Sequence, residues 1–186
     1  MLDALTVECF SLVKNQKVTA CLSLSKFNDD ETPAGCEGDL VSITGMMLAQ
    51  TLTGRIPWMA NLIKVSYDCA RFAHCTAPTT LLNDFEIDTH YETGEGTAIA
   101  GDFGSEEVTI FRLNNELNRA FLTEGKVIST HHSRHACRTQ LEVNLPKESA
   151  RLLKERPLGN HHLIIPGLHH EKIMMACRMK GIEVAR

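Results

Sequence analysis

Apolar residues along the 186-residue chain change their spacing near Pro57. Before it, Leu2, Leu5, Val7, Phe10, Leu12 and Val13 recur at helical intervals, and residues 3–14 are predicted as a helix. After a turn at Asn15-Gln16, the run 18–24 is short, apolar and partly β-branched, which predicts a strand. Polar residues from Lys26 to Pro33 break the pattern. Leu40, Ile43, Met46, Met47, Ala49 and Leu52 then mark a second helix, beginning near Asp39 and stopping at Gly54, where a glycine is expected just past a helix end. Residues 1–56 read helix, strand, loop, helix, as in an α/β unit.

Beyond Pro57 the runs are short, alternating or β-branched: 59–66, 70–76, 85–91, 97–100, 107–113, 120–130 and 137–144. Six or seven strands so spaced predict an antiparallel sheet or barrel. Thr93-Gly94-Glu95-Gly96 and Gly101-Asp102-Phe103-Gly104 supply turn glycines; neither fits a phosphate-loop fingerprint. The end is mixed, with a helix at 147–155, a strand at 161–166, a helix at 168–179 and a last strand at 182–184. The predicted class is α+β, with a change of layer near 55–58.

Composition narrows the function classes. A chain with 43% hydrophobic and 23% charged residues can bury a core. The net charge of -4, without a basic stripe, excludes a nucleic-acid partner that must displace counterions. The basic clusters Arg134/Arg138 and Arg151/Lys154/Arg156 read as solvated faces. Seven scattered cysteines without a CxxC pair read as buried, reduced thiols. No apolar run approaches the roughly 18 residues of a membrane span, and no signal-peptide pattern opens the chain, so no membrane partner and a cytoplasmic location are expected. A helical pattern directly after Met1 suggests the start of a shortened or split chain.

Several residues invite a chemical role. In Cys36-Glu37-Gly38-Asp39, Glu37 falls at or just before a helix N-terminus, where the dipole favours an ionised carboxylate. Asp39 is a natural N-cap, and by spacing alone capping is the simpler reading of the acidic pair. His74 ends an apolar strand, where a hydrogen-bonded core histidine is the plainer alternative. In Gly159-Asn160-His161-His162, alternation lets at most one of the two imidazoles face a given site. His131, His132 and His135 sit in a polar connection and read as solvated, while His169 and His170 form one further pair.

The order of Cys21-Leu22-Ser23-Leu24, Cys36-Glu37-Gly38-Asp39, Met59-Ala60-Asn61, His74-Cys75-Thr76-Ala77-Pro78, Gly159-Asn160-His161-His162 and the closing Gly-Ile-Glu-Val resembles the C-terminal portion of the L-fucose isomerase family, related to L-arabinose isomerases. Thr89-His90-Tyr91-Glu92-Thr93-Gly94 and Arg138-Thr139-Gln140 resemble a fucose-isomerase-related branch. The resemblance implies that residues 1–56 end a preceding α/β domain and that 57–186 form a six-stranded, Greek-key-like antiparallel barrel with flanking helices. It implies a homo-oligomer that interconverts aldose and ketose sugars through an enediol, using Mn2+ or Mg2+, with upstream α/β domains completing the pocket.

Residue by residue, the resemblance puts Glu37 and Asn61 at catalytic positions. Glu37, Asn61 and His162 would hold the metal, and His74 and His161 would contact the sugar. Asn61 is a departure, because the characterised enzymes place a second metal-binding carboxylate there. A sugar-binding or regulatory homologue that has lost the chemistry is therefore the competing expectation, and a purely structural oligomerisation domain a third.

Overall fold

The computed structural model describes residues 2–130 and 133–185. In chain order the elements are β1 (Leu5–Thr6), α1 (Cys9–Gln16), α2 (Cys21–Asp29), β2 (Ala34–Gly35), α3 (Leu40–Thr53), β3 (Trp58–Val65), β4 (Cys69–His74), a 3-10 turn (Thr79–Leu81), β5 (Leu82–Asp88), β6 (Ala98–Phe103), β7 (Glu107–Leu113), β8 (Arg119–Thr130), β9 (Thr139–Asn144), α4 (Lys147–Glu155), β10 (His161–Pro166), α5 (His170–Met179) and β11 (Glu183–Val184).

Six of the strands close into an antiparallel barrel in the order β8-β7-β10-β3-β4-β9, with β9 pairing back onto β8. The three consecutive strands β7, β8 and β9 are neighbours and β10 returns beside β7, which is Greek-key order. The long strand β8 serves both partners, and its register shift between Val127 and Ser129 lets it bend from one to the other. The β5–β6 hairpin forms a separate two-stranded sheet, and β11 adds to β8 in parallel. Five helices flank the barrel among the described residues, and none is long and apolar enough to cross a membrane.

Alternation along the barrel strands divides the apolar side chains into two clusters. Trp58, Phe72, Ile110, Phe121, Leu141 and Ile164 fill the interior, with Leu152 and Leu153 of α4 joining them. Their strand neighbours Met59, Phe111, Leu163 and Ile165 face outward, under Ile43, Met46 and Ala49 of α3 and Ile173 and Cys177 of α5. Residues from before and after Pro57 thus share one core. A Cβ on Gly45 would come within 2.8 Å of Leu163 Cδ1, so this glycine sets how closely α3 lies on β10.

The N-terminal segment departs from the predicted order. The first helix starts only at Cys9, where the Glu8 side chain accepts from the Ser11 amide; Leu5 and Thr6 instead pair in parallel with Ala34 and Gly35. The run 18–24, predicted as a strand, instead leads into α2, whose first four residues are 21–24. Its inward stripe is Cys21, Leu24, Ser25 and Asn28, half of it polar. Ser25 Oγ donates to the Ala77 carbonyl at 2.6 Å. Asn28 Nδ2 donates to the Leu24 and Ala34 carbonyls and its Oδ1 accepts from the Ala34 amide. Satisfied in this way, polar side chains occupy core positions and hide the helical period from the apolar pattern.

Candidate metal centre

The loop between β2 and α3 presents Glu37. Its φ is +60° and that of Gly38 is +64°, so two successive left-handed residues turn the chain into the helix. For a glutamate that conformation costs on the order of 1–2 kcal/mol, and strain of this kind tends to persist where it positions a functional group. Asp39 follows as N-cap of α3. Its Oδ1 accepts from the Ser42 amide at 2.8 Å, and its Oδ2 accepts from Ser42 Oγ at 2.7 Å and from an Arg112 guanidinium nitrogen at 2.9 Å.

The same Oδ2 lies 2.9 Å from His161 Nδ1. Against an ionised carboxylate that nitrogen carries a proton, so once the ring is neutral Nε2 is its lone-pair end. His161 Nε2 is buried, has no hydrogen-bond partner and lies 3.6 Å from Glu37 Oε2. His74, at the end of β4, is hydrogen-bonded through Nδ1 to Thr76 Oγ1 at 2.8 Å, and its Nε2 is 4.0 Å from Glu37 Oε1. The two imidazole rings stand edge to face at 5.4 Å. One ligand atom from each of Glu37, His74 and His161 lies within 4.8 Å of the others.

Each imidazole is thus anchored through one nitrogen and aims the other at a common point, which is how supporting shells of metal sites fix ring orientation. The orphaned Nε2 of His161 is what an ion would satisfy. This Glu/His/His cluster can hold a metal ion.

The charges fit that arrangement. Burial pushes the Asp39 carboxyl up, but hydrogen bonds from His161, Ser42 and Arg112 outweigh it and hold the group far below the usual carboxylate range. The His161 side chain facing Glu37 lowers the Glu37 pKa against the effect of burial. Burial also pushes His161 down, yet Asp39 and Glu37 together raise it to about 9. Without an ion, His161 is a cation between two carboxylates. His74 is lowered to about 3, first by burial and then by the charge of His161, and stays neutral.

Glu37, Asn61 and His74 line one cavity of about 450 Å³, together with Lys14, His90 and Glu92. Asn61 sits opposite His161 across the β3–β10 ladder, but its Oδ1 already accepts from Asn160 Nδ2 at 2.5 Å. His162, expected among the ligands, faces the other way. Strand alternation turns it into the barrel, where its ring meets Phe72 and Phe121 at 5.8 Å each, and its Nδ1 is 3.1 Å from the Asn160 carbonyl. His161, expected to contact sugar, occupies the place beside Glu37 instead.

Asp39, expected as an N-cap, caps α3 and also orients His161. Two contributors escaped the sequence reading: Thr76 anchors His74, and Arg112 braces Asp39 from the barrel wall. The signal for Arg112 was present: a lone charge within the apolar run Ile110-Phe111-Arg112-Leu113 needs a buried partner. Any Cβ at Gly159 would run into this guanidinium, so the residue before Asn160 must be bare.

The other histidines among the described residues form no such group. His169 Nε2 is 2.9 Å from the Pro166 carbonyl, the His170 amide donates to Glu124, and His135 is exposed. His131 and His132 lie outside the described residues. The basic clusters meet acidic neighbours, Arg138 with Asp88 at 3.1 Å and Arg151 with Glu155 at 2.8 Å. No family model matches the sequence, and comparison with curated proteins returns no match.

Proposed function

We propose that the chain is the metal-bearing C-terminal part of an aldose–ketose isomerase of the L-fucose/L-arabinose type, working in the cytoplasm as a homo-oligomer whose upstream α/β domains complete the sugar pocket. The observation that carries this reading is the convergence of the Glu37 carboxylate with the outward nitrogens of His74 and His161 beside a cavity of about 450 Å³, within the range of small-molecule sites.

Glu37, His74 and His161 would hold the ion, and two imidazole nitrogens with one carboxylate suit Mn2+ better than Mg2+, which favours oxygen ligands and keeps its waters. A bound divalent ion would supply Lewis acidity at the oxygens of C1 and C2 of the sugar. The rest falls to the protein. Glu37, kept ionised by its histidine neighbours, takes a proton from C2 and returns it to C1, while the O2 hydroxyl proton passes to O1. Asp39 holds His161 in the tautomer that leaves Nε2 free, and Arg112 holds Asp39.

Asn61 favours a second reading, a sugar-binding homologue without turnover. It offers no charge and no base, and its amide oxygen is engaged by Asn160. The two readings separate in one experiment. On the full-length chain, with its upstream domains, Mn2+ binding is measured by equilibrium dialysis and a panel of aldoses is assayed for ketose formation. Turnover that disappears in Glu37→Gln supports the isomerase; saturable sugar binding without turnover supports the homologue; absence of Mn2+ binding to the wild type sinks the metal site.

A further inference from the structure

Five of the seven cysteines, Cys9, Cys21, Cys36, Cys75 and Cys137, line the cavity that holds Glu37. Two of them are in direct contact: Cys36 Sγ donates to Cys9 Sγ at 3.0 Å, although 27 positions separate them in the chain. Their approach follows from the backbone. Leu5 and Thr6 pair in parallel with Ala34 and Gly35, the Val7 amide donates to the Gly35 carbonyl at 3.1 Å, and the Gly38 amide donates to the Val7 carbonyl at 3.1 Å. Segments 5–7 and 34–38 are therefore zipped together around Cys36 and just ahead of Cys9, and Cys9 is fixed further as the first residue of α1.

We propose that Cys9 and Cys36 are a modification site, a thiol pair that closes reversibly to a disulfide under a peroxide-class oxidant and staples α1 to the loop carrying Glu37. The sulfurs need only approach by about 1 Å to reach bonding distance. Both residues line the cavity, so an oxidant the size of hydrogen peroxide meets them there. One thiolate attacks the peroxide, forming a sulfenic acid and releasing hydroxide. The second thiol attacks that sulfur, expelling water as the S–S bond forms. In sum, two thiols and one hydrogen peroxide give one disulfide and two waters; a dithiol reductant reverses the state by exchange.

The test uses the wild-type chain, treated with near-stoichiometric hydrogen peroxide and mapped by mass spectrometry after blocking of free thiols. The expected result is loss of two hydrogens, a crosslinked peptide pair containing Cys9 and Cys36, and restoration by dithiothreitol. Because the link closes a loop in the unfolded chain, the oxidised protein should melt several degrees higher. That rise should vanish in Cys9→Ser and persist in the Cys75→Ser/Cys137→Ser double variant. Crosslinking confined to Cys75 and Cys137, or oxygen addition at Cys9 and Cys36 without a link between them, overturns the proposal.

Discussion

His161 and His162 are adjacent in sequence and differ in almost every physical respect. One is raised to about 9 by Asp39 and Glu37; the other is lowered to about 4, mainly by burial in the barrel. Substitution should separate them. His161→Leu is expected to weaken Mn2+ binding at least tenfold, whereas His162→Leu should leave it within about twofold, and titration of each purified variant measures both. Equal losses in the two would refute the assignment of faces. The choice between them could not be read from sequence, because alternation says only that they diverge, and the barrel register decides which one faces Glu37.

At the scale of elements, Asp39 joins helix α3 to strands β7 and β10 by holding Ser42, Arg112 and His161 with one carboxylate. Asp39→Ala removes an N-cap worth about 1 kcal/mol and strips a buried guanidinium of its counter-charge. A total loss of about 3 kcal/mol is expected in urea denaturation. A loss under 1 kcal/mol would mean that solvent or another group compensates Arg112. Gly45→Val tests the other contact of the helix: the added bulk meets Leu163 and should cost about 1–3 kcal/mol by overpacking.

Much of this layer was legible in the sequence. Helix α3 shows its period, its Asp39 cap and its Gly54 stop, and the barrel strands show their alternation between turn residues. Helix α2 was not legible, because Ser25 and Asn28 sit where apolar residues would have marked its inner face. The loop carrying Glu37 could not be singled out from spacing, since an acidic residue ahead of a helix ordinarily serves as a cap.

For the whole molecule, the histidines set a pH window for the metal-free protein. His74 and His162 have folded pKa values of about 3 and about 4, below the ordinary 6.5; their contribution to stability is full above 6.5 and is lost as pH falls toward those values. At pH 5 the loss is on the order of 2 kcal/mol for each. His161 works oppositely: raised to about 9, its contribution is full below 6.5 and is lost as pH climbs through 9. Urea denaturation against pH should therefore give a maximum near neutrality, with an acid limb that shrinks in His162→Leu. Mn2+ binding should tighten as pH rises from 6 to 9 and release a proton, since His161 must lose one to act as a ligand.

The wall of β10 is one residue thick: His161 faces the Glu37 cluster outside, while His162 and Ile164 face the barrel interior. Point substitutions can therefore change either face almost independently. A length change cannot. Inserting a single residue between Arg156 and Asn160 that slid the strand by one step would bring Asn160 to the ligand position and carry His161 into the oily centre, so a shift of frame along that strand disrupts both faces at once.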